Sequence, residues 1–317
     1  AESVQFIRYL LSVYMTRLDS RFTLGGSSAA SDVNRRQALT LPASIRIDTR
    51  GIYFDPSRPS DLEHILATTP FNDQQRERGK QLIAEILRRG VSKYGVEGEV
   101  IEPTALDTNK KTLILVPGQV ADDASVQYGT TIIKDNLSLL AAVRAANPQA
   151  LITYRPHPDV RCGYRLGAIK PESVLKYADK IDNSGSITSA IEQADEIHTM
   201  TSLAGFEALL RGRRVVTYGS PFYAGWGLTI DRGTIPASRN RKLTLEALVV
   251  AALILYPRYV DPLTRLPCSV EIVLKRLDNK ALWQPTWWMR GYALQLWCQK
   301  RLDRLKIILL SQKTNND

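Results

Sequence analysis

Two adjacent carboxylates occur in the segment VPGQVADDAS, residues 116–125, directly after a run of apolar residues. Asp122 and Asp123 follow Gln119 and precede Ser125. A carboxylate at the end of a strand can attack a sugar as a nucleophile, or act as a general base, when it is ionised and aimed at the anomeric carbon. An Asp before a helix is also commonly only its cap. Because successive side chains usually diverge, the two carboxylates need not share one role.

The segment YRPHP, residues 154–158, also follows an apolar run. Prolines on both sides of His157 restrict the backbone and would present the imidazole in a fixed orientation. His157 can donate a hydrogen bond to a leaving phosphate, and Arg155 can neutralise its charge. A structural role is the more common one for a single His, so both interpretations stay open at this point.

The segment HTMTSLAGFEALLRG, residues 198–212, is typical of a strand that runs into a helix capped by Thr201 or Ser202. Free backbone N–H groups and the helix dipole make such a start a site for anions, including a nucleotide phosphate. Glu207, in the second turn, could accept hydrogen bonds from both hydroxyls of a ribose. The alternative is an acid that is merely favourable near a helix N-terminus.

A loop rich in glycine and aromatic residues, YGSPFYAGWGLTIDRG, occupies residues 218–233. Its glycines allow close backbone approach, and Phe222, Tyr223 and Trp226 offer flat surfaces for a base or a sugar ring. Loops of this composition also occur as packed turns. The length of the loop and its position after a predicted strand favour a functional role.

The elements that must position these residues alternate between apolar strands and helices after Lys111, which predicts a parallel sheet covered on both faces. Predicted strands cover residues 112–116, 150–154, 196–200 and 214–218, and predicted helices cover residues 131–146, 186–193 and 203–211. The result is a doubly wound, Rossmann-like domain without the GxGxxG fingerprint. In such sheets ligands bind outside the carboxyl ends of the strands, where the four segments lie.

The part before residue 107 lacks this regular alternation of strands and helices. It predicts an amphipathic N-terminal helix, a polar stretch at residues 25–31, strands at residues 45–48 and 51–55, and a helix at residues 73–89. This part is too short for a complete α/β domain. Together with the missing initiator Met, this leads us to expect that the opening strands have been removed.

Charge and composition restrict the class of protein. The formal charge of +10 favours an anionic partner, which could be a nucleotide, an acidic sugar, a lipid headgroup or nucleic acid. The three cysteines are widely spaced and too few for a disulfide framework or a zinc cage, which favours a reducing cytoplasm. The longest apolar stretch, residues 247–256, has about half of the ~20 residues that a membrane span needs.

The final segment, residues 282–312, predicts an amphipathic helical region that either lies on an anionic membrane surface or packs on the body of the protein. Its aromatic and basic residues are Trp283, Trp287, Trp288, Trp297, Arg290, Lys300, Arg301, Arg304 and Lys306.

Taken together, GQVADDAS, YRPHP, HTMTSLAGFEALLRG and PFYAGWGLT resemble, in this order and spacing, the capsule polysaccharide Kdo transferase family of the KpsC/LipA type. RGIYFD at residues 50–55 and RYVDP at residues 258–262 also resemble it. The resemblance extends from about residue 17 to residue 276 and is strongest over residues 113–231. The resemblance is specific because PFYAGWGLT and TSLAGFEALL are long strings.

The resemblance implies an α/β fold of the GT-B type, in which two Rossmann-like domains face each other across a cleft. Residues 1–108 would be a truncated acceptor-side domain, residues 109–265 the donor-binding domain, and residues 266–317 a C-terminal helical segment. Full-length members have two transferase modules, and this chain is similar to the carboxy-terminal one.

The activity implied is retaining transfer of Kdo from CMP-β-Kdo to a Kdo-terminated glycolipid linker of the phosphatidylglycerol type, through an aspartyl-Kdo intermediate. The family uses no metal and no cofactor beyond the donor. The resemblance also implies a cytoplasmic protein that is peripheral on the inner membrane and has other capsule-assembly proteins as partners. The alternatives are an inverting CMP-sugar transferase, a non-catalytic scaffold and, last, a nucleic-acid binder, for which no standard module is evident.

Carried onto this sequence, the family pattern of Gln, a short gap, Asp, one residue and Ser makes Asp123 the nucleophile, with Gln119 and Ser125 beside it. The remaining roles are expulsion of the CMP phosphate and binding of the donor, assigned to His157, Arg155, Thr201, Ser202, Glu207, Tyr223 and Trp226. One departure is RLDSRF at residues 17–22, where the family usually reads Arg, an apolar residue and Glu-Asp-Gly-Phe. Asp19 would be a shortened substitute for an acid that activates the acceptor hydroxyl.

Overall fold

The computed structural model describes residues 15–17, 43–92, 95–96, 111–162 and 165–283. Asp19 and most of the final segment therefore lie outside the described residues. The strands are β1 (Met15–Arg17), β2 (Ser44–Asp48), β3 (Val91–Ser92), β4 (Gly95–Val96), β5 (Leu113–Pro117), β6 (Leu151–Arg155), β7 (Lys180–Ile181), β8 (Glu196–Thr199), β9 (Arg214–Thr217), β10 (Ile230–Asp231), β11 (Arg258–Val260) and β12 (Pro267–Cys268).

The helices are α1 (Asp61–Thr68), α2 (Asp73–Arg88), α3 (Ala124–Gly129), α4 (Asn136–Ala146), α5 (Pro158–Arg161), α6 (Pro171–Val174), α7 (Ile187–Gln193), α8 (Leu203–Leu210), α9 (Leu245–Val249) and α10 (Val270–Arg276). A π-helix, Val250–Leu255, continues α9, and a 3-10 turn spans Lys280–Trp283.

Six of the strands form one parallel sheet in the order β10-β9-β8-β5-β6-β7. The chain runs outward from β5 to β7, returns to β8 on the other side of β5, and runs outward again to β10. The direction of winding therefore reverses between β5 and β8. In open parallel sheets, the crevice at such a reversal is the usual place for a ligand.

The sheet is covered on both faces, as the alternation of strands and helices predicts. Ile114 and Val116 of β5 belong to a buried cluster with Leu139 and Val143 of α4. Leu115 is equally buried but points to the opposite face, because successive side chains of a strand alternate. Helices α7 and α8 pack against the strands there.

The predicted strands of this sheet are confirmed to within one residue at each end. The helix predicted for residues 131–146 is wrong at its start, since α4 begins only at Asn136. Oδ1 of Asp135 accepts hydrogen bonds from the backbone N–H groups of Leu137 and Ser138, at 2.9 and 2.8 Å. This cap fixes the first turn, and the threonine and isoleucine run before it favours extended backbone.

The prediction of a strand over residues 51–55 is also wrong. These residues form turns, with one isolated bridge between Ile52 and Asp55. The buried Oδ1 of Asp48 accepts from the backbone N–H of Gly51 at 3.1 Å and of Asp61 at 2.9 Å. Because these donors are satisfied locally, the chain folds back toward α1 instead of extending.

Helix α2 confirms the predicted helix at residues 73–89, and it packs closely on α9. A Cβ placed at Gly79 would lie 2.7 Å from the carbonyl oxygen of Glu246. Gly79 is therefore the residue that permits this helix crossing, and any larger side chain would push the helices apart.

The described residues fall into two compact units, the second of which contains Ala43 and the residues after Arg258. In the second unit, β11 and β12 pair antiparallel, and the carboxylate of Asp261 accepts two hydrogen bonds from Arg276, at 2.9 and 2.8 Å. These bonds hold the pKa of Asp261 well below its usual value. The domain boundaries predicted at residues 108 and 265 stay predictions, as does a facing domain across a cleft.

Trp283, counted above among membrane anchors, is buried, and its indole N–H donates to the carbonyl of Arg276 at 2.9 Å. For this residue the packing alternative is correct. The other aromatic and basic residues of the final segment lie outside the described residues. Across the described ranges, every helix is too short or too polar to span a bilayer.

Candidate active site

The loops that follow β5 and β8 meet where the sheet reverses, and Gln119 joins them. Its Oε1 accepts from the backbone N–H of Thr201 at 3.0 Å and from the hydroxyl of Thr199 at 3.1 Å. Its Nε2 donates to Oγ1 of Thr201 at 2.9 Å. Because a backbone N–H can only donate, it must face Oε1, and this fixes the orientation of the amide.

The hydrogen bonds continue from Thr201 to the predicted nucleophile. Oγ1 of Thr201 donates to Oγ of Ser125 at 3.3 Å, and Oγ of Ser125 donates to Oδ1 of Asp123 at 2.7 Å. Every donor in this series points toward the carboxylate. We call Gln119, Thr201, Ser125 and Asp123 the relay. The structure thus brings together four of the residues that the sequence singled out.

Asp123 is half-buried and caps α3, so the capping interpretation is confirmed for one of its oxygens. Oδ1 also accepts from the backbone N–H of Ser125 at 2.9 Å. Among the described residues, no hydrogen bond to Oδ2 is found. One oxygen is therefore held by two donors, which fixes the orientation of the carboxylate, and the other can approach a ligand.

Asp122 diverges from Asp123, as expected for adjacent side chains. Its Oδ1 lies 3.1 Å from Nη2 of Arg165, and Nε of Arg165 donates to the same oxygen at 3.3 Å. The backbone supports this pairing, because the N–H of Ala121 donates to the carbonyl of Leu166 at 3.0 Å. The two carboxylates have different partners and need not compete for one site.

His157 follows β6 at the same edge of the sheet and caps α5. Its Nδ1 accepts from the backbone N–H of Asp159 at 3.2 Å, so a neutral ring has its proton on Nε2. Nε2 is then the atom that could donate to a phosphate.

Arg155 is engaged in a different way from the one predicted. Its guanidinium forms an ion pair with Asp182 and donates to the carbonyls of Ser184 and Gly185. Burial would raise the pKa of Asp182, but hydrogen bonds from Ser184 and the charge of Arg155 outweigh it and lower that pKa. Arg155 fixes the loop after β7 in this structure, and its contact with a phosphate stays a prediction.

Ser202, not Thr201, is the cap of α8, and its Oγ accepts from the backbone N–H of Ala204 at 3.2 Å. Glu207 lies in the second turn of this helix and is 2% exposed. The helix begins beside the relay, because Thr201 immediately precedes its cap, Ser202. The start of α8 is therefore in place for an anion, while the contact of Glu207 with a ribose stays a prediction.

Residues 218–233, here called the aromatic loop, require a correction. Tyr223 and Trp226 are both 0% exposed, so neither ring offers a surface to a base or a sugar. The hydroxyl of Tyr223 donates to the carbonyl of Ser202, and the indole N–H of Trp226 donates to the carbonyl of Phe222 at 2.9 Å. Burial raises the pKa of Tyr223 far above its usual value. Tyr223 packs against α8, where its ring faces Phe206, and Trp226 fills the interior of the aromatic loop.

Two charged residues that the sequence analysis did not single out, the half-buried Asp231 and the buried Arg239, hold the aromatic loop. Asp231 accepts from the backbone N–H of Gly225 at 2.9 Å and from the hydroxyl of Thr217 at 2.8 Å. Nη1 of Arg239 donates to the carbonyl of Pro221 at 2.6 Å, while its Nε donates to Glu63 at 3.1 Å. Neither has a clear sequence signal, because Asp231 stands beside Arg232 and Arg239 lies in a basic, polar segment.

A fifth residue near the relay, Asn136, was also missed. It is 4% exposed, at the first position of α4. In sequence it is hidden by the preceding Asp135, because Asp-Asn before a helix is typical of a cap.

The chain matches a family model described as "Capsule polysaccharide biosynthesis protein" over residues 71–259. Similar curated proteins include LipA, a capsule polysaccharide modification protein of Neisseria meningitidis serogroup B, which is 47% identical over 233 residues, or 74% of this chain. LpsZ, a lipopolysaccharide-processing protein of Rhizobium meliloti, is 41% identical over 221 residues, or 69% of this chain. The chain spans only 32% of the length of LipA and 50% of LpsZ.

Two solved structures of KpsC from Thermosulfurimonas dismutans are similar. One, titled a beta Kdo 2,7 transferase, has 40% identity and a TM-score of 0.65, with 77% of this chain and 74% of that chain covered. The other, titled a beta Kdo 2,4 transferase, has 31% identity and a TM-score of 0.66, with 75% of each chain covered.

Proposed function

Because the chain belongs to the capsule polysaccharide biosynthesis protein family, we propose that it is a retaining glycosyltransferase which moves Kdo from CMP-β-Kdo to a Kdo-terminated glycolipid during capsule assembly. The titles of the two similar solved structures support the transferred sugar. The observation that supports the site is Asp123: a half-buried carboxylate at the reversal of a parallel sheet, oriented through one oxygen only.

In the first step, Oδ2 of Asp123 attacks the anomeric carbon of Kdo. The bond from that carbon to the phosphate oxygen breaks, and CMP leaves with the electron pair. In the second step, a hydroxyl of the acceptor attacks the same carbon, gives its proton to a base, and displaces the Asp123 carboxylate. Two inversions give net retention.

Stabilisation of the leaving phosphate is assigned to groups that follow β6 and β8, the two strands beside β5. Nε2–H of His157 donates to the phosphate, and the first N–H groups of α8 add the positive end of a helix dipole. Glu207 is assigned to the ribose. No step requires a metal ion.

The acceptor binds on the side of residues 1–108, with Asp19 as the base for its hydroxyl. The acceptor is a phosphatidylglycerol-type lipid bearing Kdo, so the enzyme works at the inner membrane surface from the cytoplasm, beside other capsule-assembly proteins. The charge of +10 suits an anionic donor, an anionic acceptor and an anionic membrane.

The test is to measure CMP release from CMP-Kdo, with and without a synthetic Kdo-bearing acceptor, and to determine the anomeric configuration of the product. The proposal predicts a single round of CMP release without the acceptor, continued release and a β-linked product with it, and loss of all of these in Asp123→Asn. An inverted product would make Asp123 a base rather than a nucleophile. If a folded protein bound CMP-Kdo but released no CMP with or without the acceptor, the result would favour a non-catalytic scaffold.

A further inference from the structure

We propose that Asn136 is a positioning residue for Asp123, which acts through Gln119 and the relay. The role of Asp123 as nucleophile rests on the proposed function, but the arrangement itself rests on hydrogen bonds among described residues.

Asn136 holds the backbone of Gln119 from both sides. Its Oδ1 accepts from the backbone N–H of Gln119 at 2.8 Å, and its Nδ2 donates to the carbonyl of the same residue at 2.7 Å. Both groups of one peptide residue are thus paired with one side chain from a different element. Such a pair resists displacement along the loop and rotation of the peptide.

The position of Asn136 in α4 needs an explanation that the helix itself does not provide. Asn is a poor residue inside a helix, and its amide is buried here. The cap is supplied by Asp135, which accepts from Leu137 and Ser138. The hydrogen-bonding capacity of Asn136 is therefore used for the loop after β5.

Gln119 passes this constraint to the carboxylate. Its side chain is 6% exposed and spans the sheet reversal to Thr199 and Thr201. Thr201 in turn donates to Ser125, which orients Oδ1 of Asp123. Since displacement of a reacting group by about 1 Å can cost about 10²-fold in rate, a loosened Gln119 should slow the attack without removing any group that contacts the donor.

The test compares Asn136→Ala with Asp135→Ala, its neighbour in the same turn. Asp135→Ala removes the cap of α4 and leaves the bonds to Gln119. We expect kcat for CMP release to fall about 10²-fold in Asn136→Ala, with a much smaller rise in KM, and to stay near the wild-type value in Asp135→Ala. Asn136→Asp, which keeps the acceptor and loses the donor, should fall between them.

A double-mutant cycle identifies the route. Gln119→Ala keeps the backbone that Asn136 holds but breaks the relay. If Asn136 acts through Gln119, Asn136→Ala should cause little further loss of kcat in the Gln119→Ala protein. Additive losses would contradict the proposed route.

Amide hydrogen exchange tests the arrangement independently of turnover. Exchange of the Gln119 and Thr201 amides should accelerate about tenfold or more in Asn136→Ala relative to Asp135→Ala. If the wild-type protein released no CMP, the proposed function would fail, and this exchange result would still decide whether Asn136 holds the relay. The proposal would be overturned if Asn136→Ala and Asp135→Ala had the same kcat for CMP release and the same exchange rates at the Gln119 and Thr201 amides.

Discussion

The relay and the aromatic loop lie at the same edge of one parallel sheet, and the sequence offered both as ligand sites, yet only one contains an accessible reactive group. In the relay, side chains bond mainly to each other, and one oxygen of a half-buried carboxylate is left for a ligand. In the aromatic loop, Tyr223 and Trp226 bond to backbone carbonyls and are fully covered. A conspicuous string of residues can thus build the scaffold beneath a site instead of the site.

The two regions still touch. The backbone N–H of Ser220 donates to the carbonyl of Gly129, the last residue of α3, at 2.7 Å. A Cβ at Gly219 would lie 2.5 Å from that carbonyl oxygen, so the glycine permits the approach. We expect variants of the relay to change the rate of CMP release, because they alter the groups that orient Asp123. We expect variants of the aromatic loop to lower the free energy of unfolding, because they remove buried packing.

The largest effect is expected from Trp226→Ala. Removal of a fully buried indole leaves a cavity and should lower the free energy of unfolding by about 3–5 kcal/mol, measured by urea denaturation. Asp123→Asn, the matched control from the relay, should unfold near the wild-type midpoint. A stable, folded Trp226→Ala protein that had lost CMP-Kdo binding would return this residue to the ligand site.

The next effect is on rate. His157→Asn keeps an acceptor that can cap α5 but loses the Nε2–H donor, whereas His157→Ala loses both. Both should lower kcat for CMP release by about 10²-fold, and only His157→Ala should also lose stability. Normal turnover in His157→Asn would assign His157 to the cap alone.

A smaller effect is expected for Tyr223→Phe, which removes the hydrogen bond to the carbonyl of Ser202 but keeps the ring. The loss should be about 1 kcal/mol in the free energy of unfolding, with kcat unchanged. A drop in kcat at full stability would mean that the Tyr223 hydroxyl orients the start of α8 for the donor phosphate.

The smallest effect concerns pH and His198, a buried residue at the base of the aromatic loop. Its Nε2 faces Glu196 at 3.0 Å and its Nδ1 faces the hydroxyl of Tyr218 at 3.2 Å. Burial lowers the pKa of His198, and Glu196 offsets this only in part. The unfolded chain therefore binds a proton more readily, so stability should fall as pH drops below about 6.5.

Urea denaturation at about pH 7.5 and about pH 5.5, on either side of the ordinary His pKa, measures this effect. His198→Gln should depend less on pH than the wild type. An identical dependence would show that other groups are responsible.

The sequence predicted four of the six strands of the sheet, without the two-residue edge strands β7 and β10, and it brought the relay residues to one edge for one physical reason. Carboxyl ends of parallel strands meet at one edge, so residues that follow separate strands, such as Gln119 and Thr201, are brought together without any knowledge of side-chain packing. The cap at Asp123 likewise follows from local chemistry.

Other features depend on packing, which has no local pattern. Asn136 bonds to a backbone 17 residues away, and no periodicity marks such a contact. Tyr223 and Trp226 have the same residue types whether they stack on a base or fill a core. The charge of Arg155 was visible in the sequence, but its partner Asp182 lies on another strand's loop.

The central claim, that Asp123 is the attacking carboxylate, is tested most directly by intact-mass spectrometry of three proteins mixed with CMP-Kdo: wild type, Asp122→Asn and Asp123→Asn. Asp122 is the matched control, because it is ion-paired with Arg165 and lies outside the relay. We predict a Kdo adduct on the wild type and on Asp122→Asn, and none on Asp123→Asn. An adduct that persists in Asp123→Asn and disappears in Asp122→Asn would contradict the assignment.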